Sequence, residues 1–144
     1  MAEASKVVEM PLPRERIWKA ITDYENYPQF VDNVHRVKVL SREGGHTRVE
    51  YVIELIGKEI RYVLDHDESR IPDEMTWTFV ESALLKGNKG YWRLQSKGEG
   101  STEVSYSIDL EFNFPVPGFI IGGLVRSTLP KMLWNFETRA KKVG

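Results

Sequence analysis

The feature that most constrains this fold is a change in the spacing of apolar residues along the chain. From Val37 to Leu110, apolar residues alternate with polar or charged ones, which is the period of half-buried antiparallel strands. From Ile121 to Val143 they recur every three or four positions, which is the period of a helix. A helix of about 25 residues is long enough to cross several strands. We therefore expect an antiparallel sheet with one face covered by a C-terminal helix.

Two short helices are predicted between the first strand and the rest of the sheet. Residues 5–10 resemble a strand, and the helix that follows over residues 14–24 begins after Pro13. Tyr27 precedes a proline, which ends that helix and starts a second short one over residues 27–31. The residues of the first helix expected to face the core are Ile17, Ala20, Ile21 and Tyr24.

Turn-forming residues divide the alternating region into consecutive strands. With the first strand they predict about seven strands, because glycine supplies the positive φ angles of tight hairpins. The predicted bends are Gly44-Gly45, Ile56-Gly57-Lys58, Pro72-Asp73-Glu74, Gly87-Asn88-Lys89-Gly90 and Gly98-Glu99-Gly100-Ser101. Within the last helix, Gly122, Gly123 and Pro130 disfavour regular helix, so we expect a kink and a mobile N-terminal half there.

Composition restricts the classes of function. The 144 residues match one domain spanning 1–144, and 41% apolar with 28% charged residues is typical of a globular protein. The net charge of −1 argues against general nucleic-acid binding, and the lack of cysteine excludes disulfides and thiolate chemistry. The first ten residues are not those of a signal peptide, and the apolar run 114–125 is shorter than a bilayer span. We expect a cytoplasmic protein.

Three short stretches resemble a known family. They are Asp23 to Phe30 with its Tyr-Pro-Gln-Phe turn, Trp92-Arg93-Leu94 ahead of a Gly-Ser-Thr turn, and Phe114-Pro115-Val116-Pro117-Gly118-Phe119. The whole chain resembles the START-like (SRPBCC) superfamily, and within it the bacterial coenzyme Q-binding START-domain and polyketide cyclase/dehydrase-like proteins, a branch that includes the ribosome-association toxins. The resemblance implies an α+β helix-grip fold: a seven-stranded antiparallel sheet wrapped around a long C-terminal helix, with two short helices after the first strand.

A set of inward-facing residues is the predicted ligand-binding site. Either these side chains interlock as a solid core, or they surround an apolar cavity. We favour the cavity, because buried phenols need hydrogen-bond partners and three tyrosines belong to the set; Tyr51, Tyr62 and Tyr106 are the candidates for contacting a quinone or carbonyl oxygen. The set is Tyr51, Ile53, Tyr62, Leu64, Trp77, Phe79, Trp92, Tyr106, Ile108, Ile121, Val125, Leu129 and Leu133.

The segment from Ser82 to Gly90 is predicted to form a hairpin tip near the cavity mouth. Leu84 and Leu85 lie there beside Lys86 and Lys89. Apolar residues with charged neighbours often mark contact sites, so the pair is a candidate for touching a lipid surface or a partner and for gating entry. The alternative is that both leucines fold back onto the helix.

Other chemistry finds little support in the residues. On a strand, His66 and Asp65 point to opposite sides, which disfavours a metal site at 65–68, and His35 and His46 lie in no recognisable catalytic motif. We predict no cofactor, no metal and no catalytic residue. The leading hypothesis is therefore carriage of a small hydrophobic ligand, quinone-like or lipid. The alternatives are a polyketide cyclase/dehydratase-like enzyme using tyrosine hydrogen bonds to an enolate, and a ribosome-binding protein using a local basic patch.

Overall fold

Seven strands form one antiparallel sheet in the computed structural model, which describes residues 2–55 and 57–143. The order across the sheet is β1-β7-β6-β5-β4-β3-β2, so each strand from β2 to β7 pairs with its neighbour in sequence and β1 joins beside β7. This confirms the predicted seven-stranded antiparallel sheet, in which β2 to β7 form a meander. The strands are β1 (Ala2–Met10), β2 (Val34–Glu43), β3 (His46–Leu55), β4 (Lys58–Asp67), β5 (Glu74–Ser82), β6 (Leu85–Ser96) and β7 (Thr102–Phe112).

Two short helices follow β1, as predicted. They are α1 (Arg14–Ile21) and a 3₁₀ helix (Tyr24–Gln29) that contains Pro28. The four residues expected on the inner face, from Ile17 to Tyr24, are all at most 1% exposed. Trp18 is also buried, and its indole N–H donates to the carbonyl oxygen of Pro72 at 2.7 Å, which ties α1 to the loop before β5.

Four of the five predicted bends lie between strands in the structure, including Pro72-Asp73, which directly precedes β5. Gly44 and Gly45 have φ angles of 58° and 81° between β2 and β3, and Gly57 has a φ of 71° before β4. The prediction for this turn also included Ile56, which lies outside the described residues. Gly98 and Gly100 likewise have positive φ angles between β6 and β7. Positive φ angles favour glycine, which explains why glycines recur between the strands of this sequence.

The predicted bend at Gly87 to Gly90 is wrong, because these residues lie inside β6. The chain turns earlier, at 83–84, and Asn88 is buried. A Cβ atom on Gly90 would lie 2.1 Å from the carbonyl oxygen of Ser107 and 2.6 Å from the Trp77 ring. Glycine is therefore needed here for the close approach of Trp77 to the strand and not for a turn.

The predicted exposed pair of leucines is also corrected. Leu85 is 4% exposed and lines the cavity described below, while Leu84 is half-buried and packs against the core. The early turn at 83–84 causes this, because it places Leu85 on the inner face of β6, opposite Phe112. The alternative interpretation, in which the leucines fold back, describes the structure better.

The C-terminal helix is divided into three parts. They are α2 (Gly118–Gly123), a π-helical turn (Leu124–Thr128) and α3 (Leu129–Val143). The wide turn lies between the two glycines and Pro130, so the helix is irregular where the sequence predicts a kink. A proline in a regular helix collides with the carbonyl four residues earlier, and a π turn relieves that contact. No helix in the described ranges is long and apolar enough to cross a membrane.

The predicted apolar stripe of this helix faces the sheet along α3. Its buried members are Leu129, Leu133, Phe136 and Ala140, each at most 7% exposed. The side chains of three other members of the stripe, Leu124, Val125 and Val143, lie outside the described part of the structure. The α3 helix also packs against α1, so it contacts both the sheet and the first helix.

Candidate ligand-binding cavity

An apolar cavity of about 200 Å³ lies between the inner face of the sheet and the C-terminal helix. All seven strands and the 3₁₀ helix contribute to its walls, and α2, the π turn and α3 close the other side. Ten residues of the predicted set line it. They are Tyr51, Ile53, Tyr62, Leu64, Trp77, Trp92, Tyr106, Ile108, Ile121 and Leu129.

Two residues of the predicted set lie elsewhere. Phe79 is half-buried on β5, and its ring packs against the core beside the cavity. It lies next to a register shift, because Leu64 pairs with Phe79 whereas Val63 pairs with Glu81. Leu133 is 1% exposed and belongs to the packed core, because α3 meets α1 as well as the sheet. A third residue, Val125, has its side chain outside the described residues. Ligand contact by any of the set stays a prediction.

Several lining residues were absent from the predicted set. His66 follows Tyr62 and Leu64 on the inner face of β4, so the alternation of that strand already indicated its direction. Asn88 was missed because its Gly-Asn-Lys-Gly context is typical of a turn. The lining residues outside the predicted set include Tyr27, His66, Leu85, Asn88 and Phe136.

His66 forms the first of two buried polar pairs in the cavity wall. Its Nε2 atom lies 2.8 Å from the hydroxyl oxygen of Tyr51, on the neighbouring strand. Burial lowers the pKa of His66 to about 3, so the imidazole is neutral at pH 7. The Tyr24 ring lies beside it, with the ring centroids 4.7 Å apart. The imidazole is therefore held between aromatic rings in a single orientation.

Trp77 and Asn88 form the second polar pair. The indole N–H of Trp77 donates to Oδ1 of Asn88 at 2.9 Å, and both side chains are at most 4% exposed. This hydrogen bond fixes which end of the Asn88 amide is oxygen, since indole nitrogen is only a donor. The nitrogen end of the amide is consequently turned away from Trp77.

The cavity tyrosines differ in how their hydroxyls are used. The Tyr27 hydroxyl donates to the carbonyl oxygen of Ile21, so only its ring is offered to the cavity. The hydroxyls of Tyr62 and Tyr106 have no hydrogen-bond partner among the described residues. Burial raises the pKa of both phenols above the ordinary value. They stay protonated at neutral pH and are suited to hydrogen bonding with a ligand.

Charge is confined to the edge of the cavity. Of the described residues that line it, Glu3 is the one with a formal charge at pH 7, and Glu3 is exposed to solvent. Asp65, which precedes His66 in the chain, points to the other side of β4, where its carboxylate lies 2.9 Å from Nδ1 of His46. Within the described ranges there is no group of three or more side chains placed to hold a metal ion.

Comparison with known families and solved structures agrees with the fold. A family described as polyketide cyclase / dehydrase and lipid transport matches residues 10–137. The chain therefore belongs to this family, within the START-like superfamily that its motifs resemble. The family description covers both enzymes and lipid carriers, so it defines the class of protein and leaves the particular ligand open.

Individual relatives are distant. The ribosome association toxin RatA of Rickettsia prowazekii (strain Madrid E) is 23% identical over 141 residues, covering 93% of this chain and 92% of that protein. A START superfamily protein from Mycobacterium smegmatis has a TM-score of 0.83 at 20% identity over 99% of both chains. The Zhui aromatase/cyclase from Streptomyces sp. R1128 has a TM-score of 0.82 at 13% identity, over 97% of this chain and 93% of that chain. The two solved structures confirm the helix-grip fold.

Proposed function

We propose that this protein binds and carries a small, uncharged, hydrophobic ligand in the cavity between the sheet and the C-terminal helix. The observation that supports this most directly is the cavity itself. It is walled by apolar and aromatic side chains, it has a few polar groups, and its charge is confined to the exposed Glu3. Pockets that hold small molecules commonly have this composition.

The size of the cavity indicates the size of the ligand. A void of ~150 Å³ lined by apolar side chains is enough for benzene, whereas pockets for drug-sized molecules occupy roughly 300–1,000 Å³. At about 200 Å³ this cavity suits one or two rings. A quinone-like ring fits that space, and a long polyprenyl or acyl chain would have to displace part of the helix. The π turn and two glycines at that end of the helix are the natural place for such a movement.

A polyketide cyclase/dehydratase-like activity is the second candidate, since the family description names such enzymes. The Tyr51–His66 pair is the arrangement in the cavity that most resembles an acid–base pair. Its protonation states fit binding better than proton transfer, because His66 with a pKa of about 3 is a weak base and burial raises the pKa of Tyr51. This favours the carrier over the enzyme.

Ribosome association is the third candidate, and it comes from the named function of the Rickettsia relative. A contact with ribosomal RNA would need free basic residues on one surface. On the C-terminal helix, Lys131 pairs with Asp32 at 2.9 Å and Lys141 with Glu137 at 3.1 Å. These two ion pairs lower the positive potential that Lys131 and Lys141 could offer to RNA.

A titration with naphthalene tests whether the cavity binds ligands. Trp77 and Trp92 line the cavity, so binding should change their fluorescence. Leu129→Phe places a larger side chain at the cavity wall and should weaken binding roughly tenfold or more, because the ligand loses the space it needs. Leu133→Met is the control, because Leu133 is buried on the same helix outside the cavity. Equal affinity in Leu129→Phe and the wild type, or no saturable binding at all, would contradict the proposal.

A further inference from the structure

The two polar pairs of the cavity are built in the same way. His66 and Trp77 are direct partners across β4 and β5, and their ring centroids lie 6.1 Å apart. Each reaches outward to the next strand: His66 to Tyr51 on β3 and Trp77 to Asn88 on β6. Both outer residues line the cavity. His66 and Trp77 therefore orient Tyr51 and Asn88, which lie on the strands to either side of them.

The direction of the Trp77–Asn88 bond leaves a donor free. The indole N–H occupies Oδ1 of Asn88. The Nδ2 atom of Asn88 carries two N–H groups and has no hydrogen-bond partner among residues 2–55 and 57–143. Asn88 is 3% exposed and lines the cavity, so these groups are available to a ligand there. An amide held in this way offers its N–H groups to the cavity, while its oxygen already accepts from Trp77.

The Tyr51–His66 bond leaves a donor free as well. The Nδ1 atom of His66 is buried and has no partner within the described residues. If Nδ1 carried the proton, its N–H would be unpaired at a buried atom that no ligand can reach. The other tautomer leaves the Nδ1 lone pair and the hydroxyl hydrogen of Tyr51 without partners, but Tyr51 lines the cavity, where the acceptor of a ligand can pair with that hydrogen. Unpaired buried N–H groups are the rarer case. The proton is therefore on Nε2, which donates to the Tyr51 oxygen, and the hydroxyl hydrogen of Tyr51 is free.

We propose that Tyr51 and Asn88 form a donor subsite that selects uncharged ligands bearing a hydrogen-bond acceptor such as a ring carbonyl. His66 and Trp77 are positioning residues, since each occupies the acceptor of its outer partner. Gly90 also positions the subsite, because a Cβ atom there would collide with the Trp77 ring at 2.6 Å. This inference rests on the proposed function and specifies the chemistry of its ligand.

A matched pair of probes tests the selection. 1-Tetralone and tetralin share one bicyclic frame and differ in a carbonyl, and both are of a size suited to the cavity. In the wild-type protein, tetralone should bind roughly 5–10-fold more tightly than tetralin, which is the effect of one or two net hydrogen bonds. Tyr51→Phe and Asn88→Leu should each reduce that ratio. Tyr27→Phe should keep it, because the Tyr27 ring lines the cavity while its hydroxyl is bonded to Ile21.

The outcomes separate this inference from the proposed function. Tetralin and tetralone binding equally well would overturn the donor subsite and leave the cavity proposal standing. Failure of both probes to bind would overturn the cavity proposal and the subsite with it. A measurement on the wild-type protein needs no variant to fold: nitrogen-15 NMR of the histidines should show His66 protonated at Nε2, and protonation at Nδ1 would refute the assignment.

Discussion

Acidification should destabilise this protein through His66. Burial lowers the pKa of His66 from 6.5 to about 3, so the folded protein keeps the imidazole neutral at pH values where the unfolded chain protonates it. The unfolded state then binds more protons, and the free energy of unfolding falls as the pH is lowered through this window. Above pH 6.5 both states are neutral, and the effect disappears.

The size of the effect follows from linkage. Between the two pKa values each pH unit costs about 1.4 kcal/mol, so the change from pH 7 to pH 5 amounts to about 2 kcal/mol. Other groups change stability over the same range. His46 contributes with the opposite sign, because its hydrogen bond to Asp65 raises its pKa and its stabilisation grows as the pH falls. The effect of His66 has to be isolated by a variant.

Urea denaturation of the wild type and of His66→Gln at both pH values supplies that comparison. Glutamine has an N–H that reaches toward Tyr51 and does not titrate. The difference in unfolding free energy between pH 7 and pH 5 should be about 2 kcal/mol larger in the wild type than in the variant. Equal pH dependence in the two proteins would refute the reasoning, because it would mean that His66 is not held neutral by burial.

Two further predictions concern the strands of the cavity wall. Gly90→Ala should lower the free energy of unfolding by more than about 2 kcal/mol in urea denaturation, because the new methyl group overlaps the Ser107 carbonyl. Gly87→Ala is the control. It should change the free energy of unfolding by less than about 1 kcal/mol, because the nearest atom to its new methyl group is 3.6 Å away. A small effect of Gly90→Ala would contradict the close packing of Trp77. Replacing both Tyr62 and Tyr106 with phenylalanine should leave most of the affinity for naphthalene intact, as measured by tryptophan fluorescence, because naphthalene forms no hydrogen bond with their hydroxyls. A loss of affinity above tenfold would contradict the view that these hydroxyls act on polar ligands only.

The sheet and most of the cavity wall were predictable from the sequence. Alternation along β3, β4, β6 and β7 is a local property, and it places Tyr51, Tyr62, Trp92 and Tyr106 on one face whatever their partners are. The apolar spacing of α3 indicates its inner face in the same way. These periodicities follow from backbone geometry, so they survive in the structure.

The parts that sequence reasoning missed depend on contacts between distant residues. Asn88 and Gly90 have the composition of a turn, and only the position of the Trp77 ring explains why they lie in a strand. The role of His66 depends on Tyr51 and on an unpartnered nitrogen, neither of which a strand pattern reveals. Whether the inward side chains interlock or leave a void depends on the sum of their volumes. No periodic pattern in the sequence reports that sum.

The central claim is that the cavity holds a ligand, and native mass spectrometry of the protein purified from cells tests it most directly. Organic extraction and identification of the released molecule should follow. A stoichiometric, uncharged, carbonyl-bearing ring compound or lipid is the expected result, and it should be lost from Leu129→Phe and kept by Leu133→Met. A wild-type protein that carries no ligand and binds none of the ring probes would contradict the account.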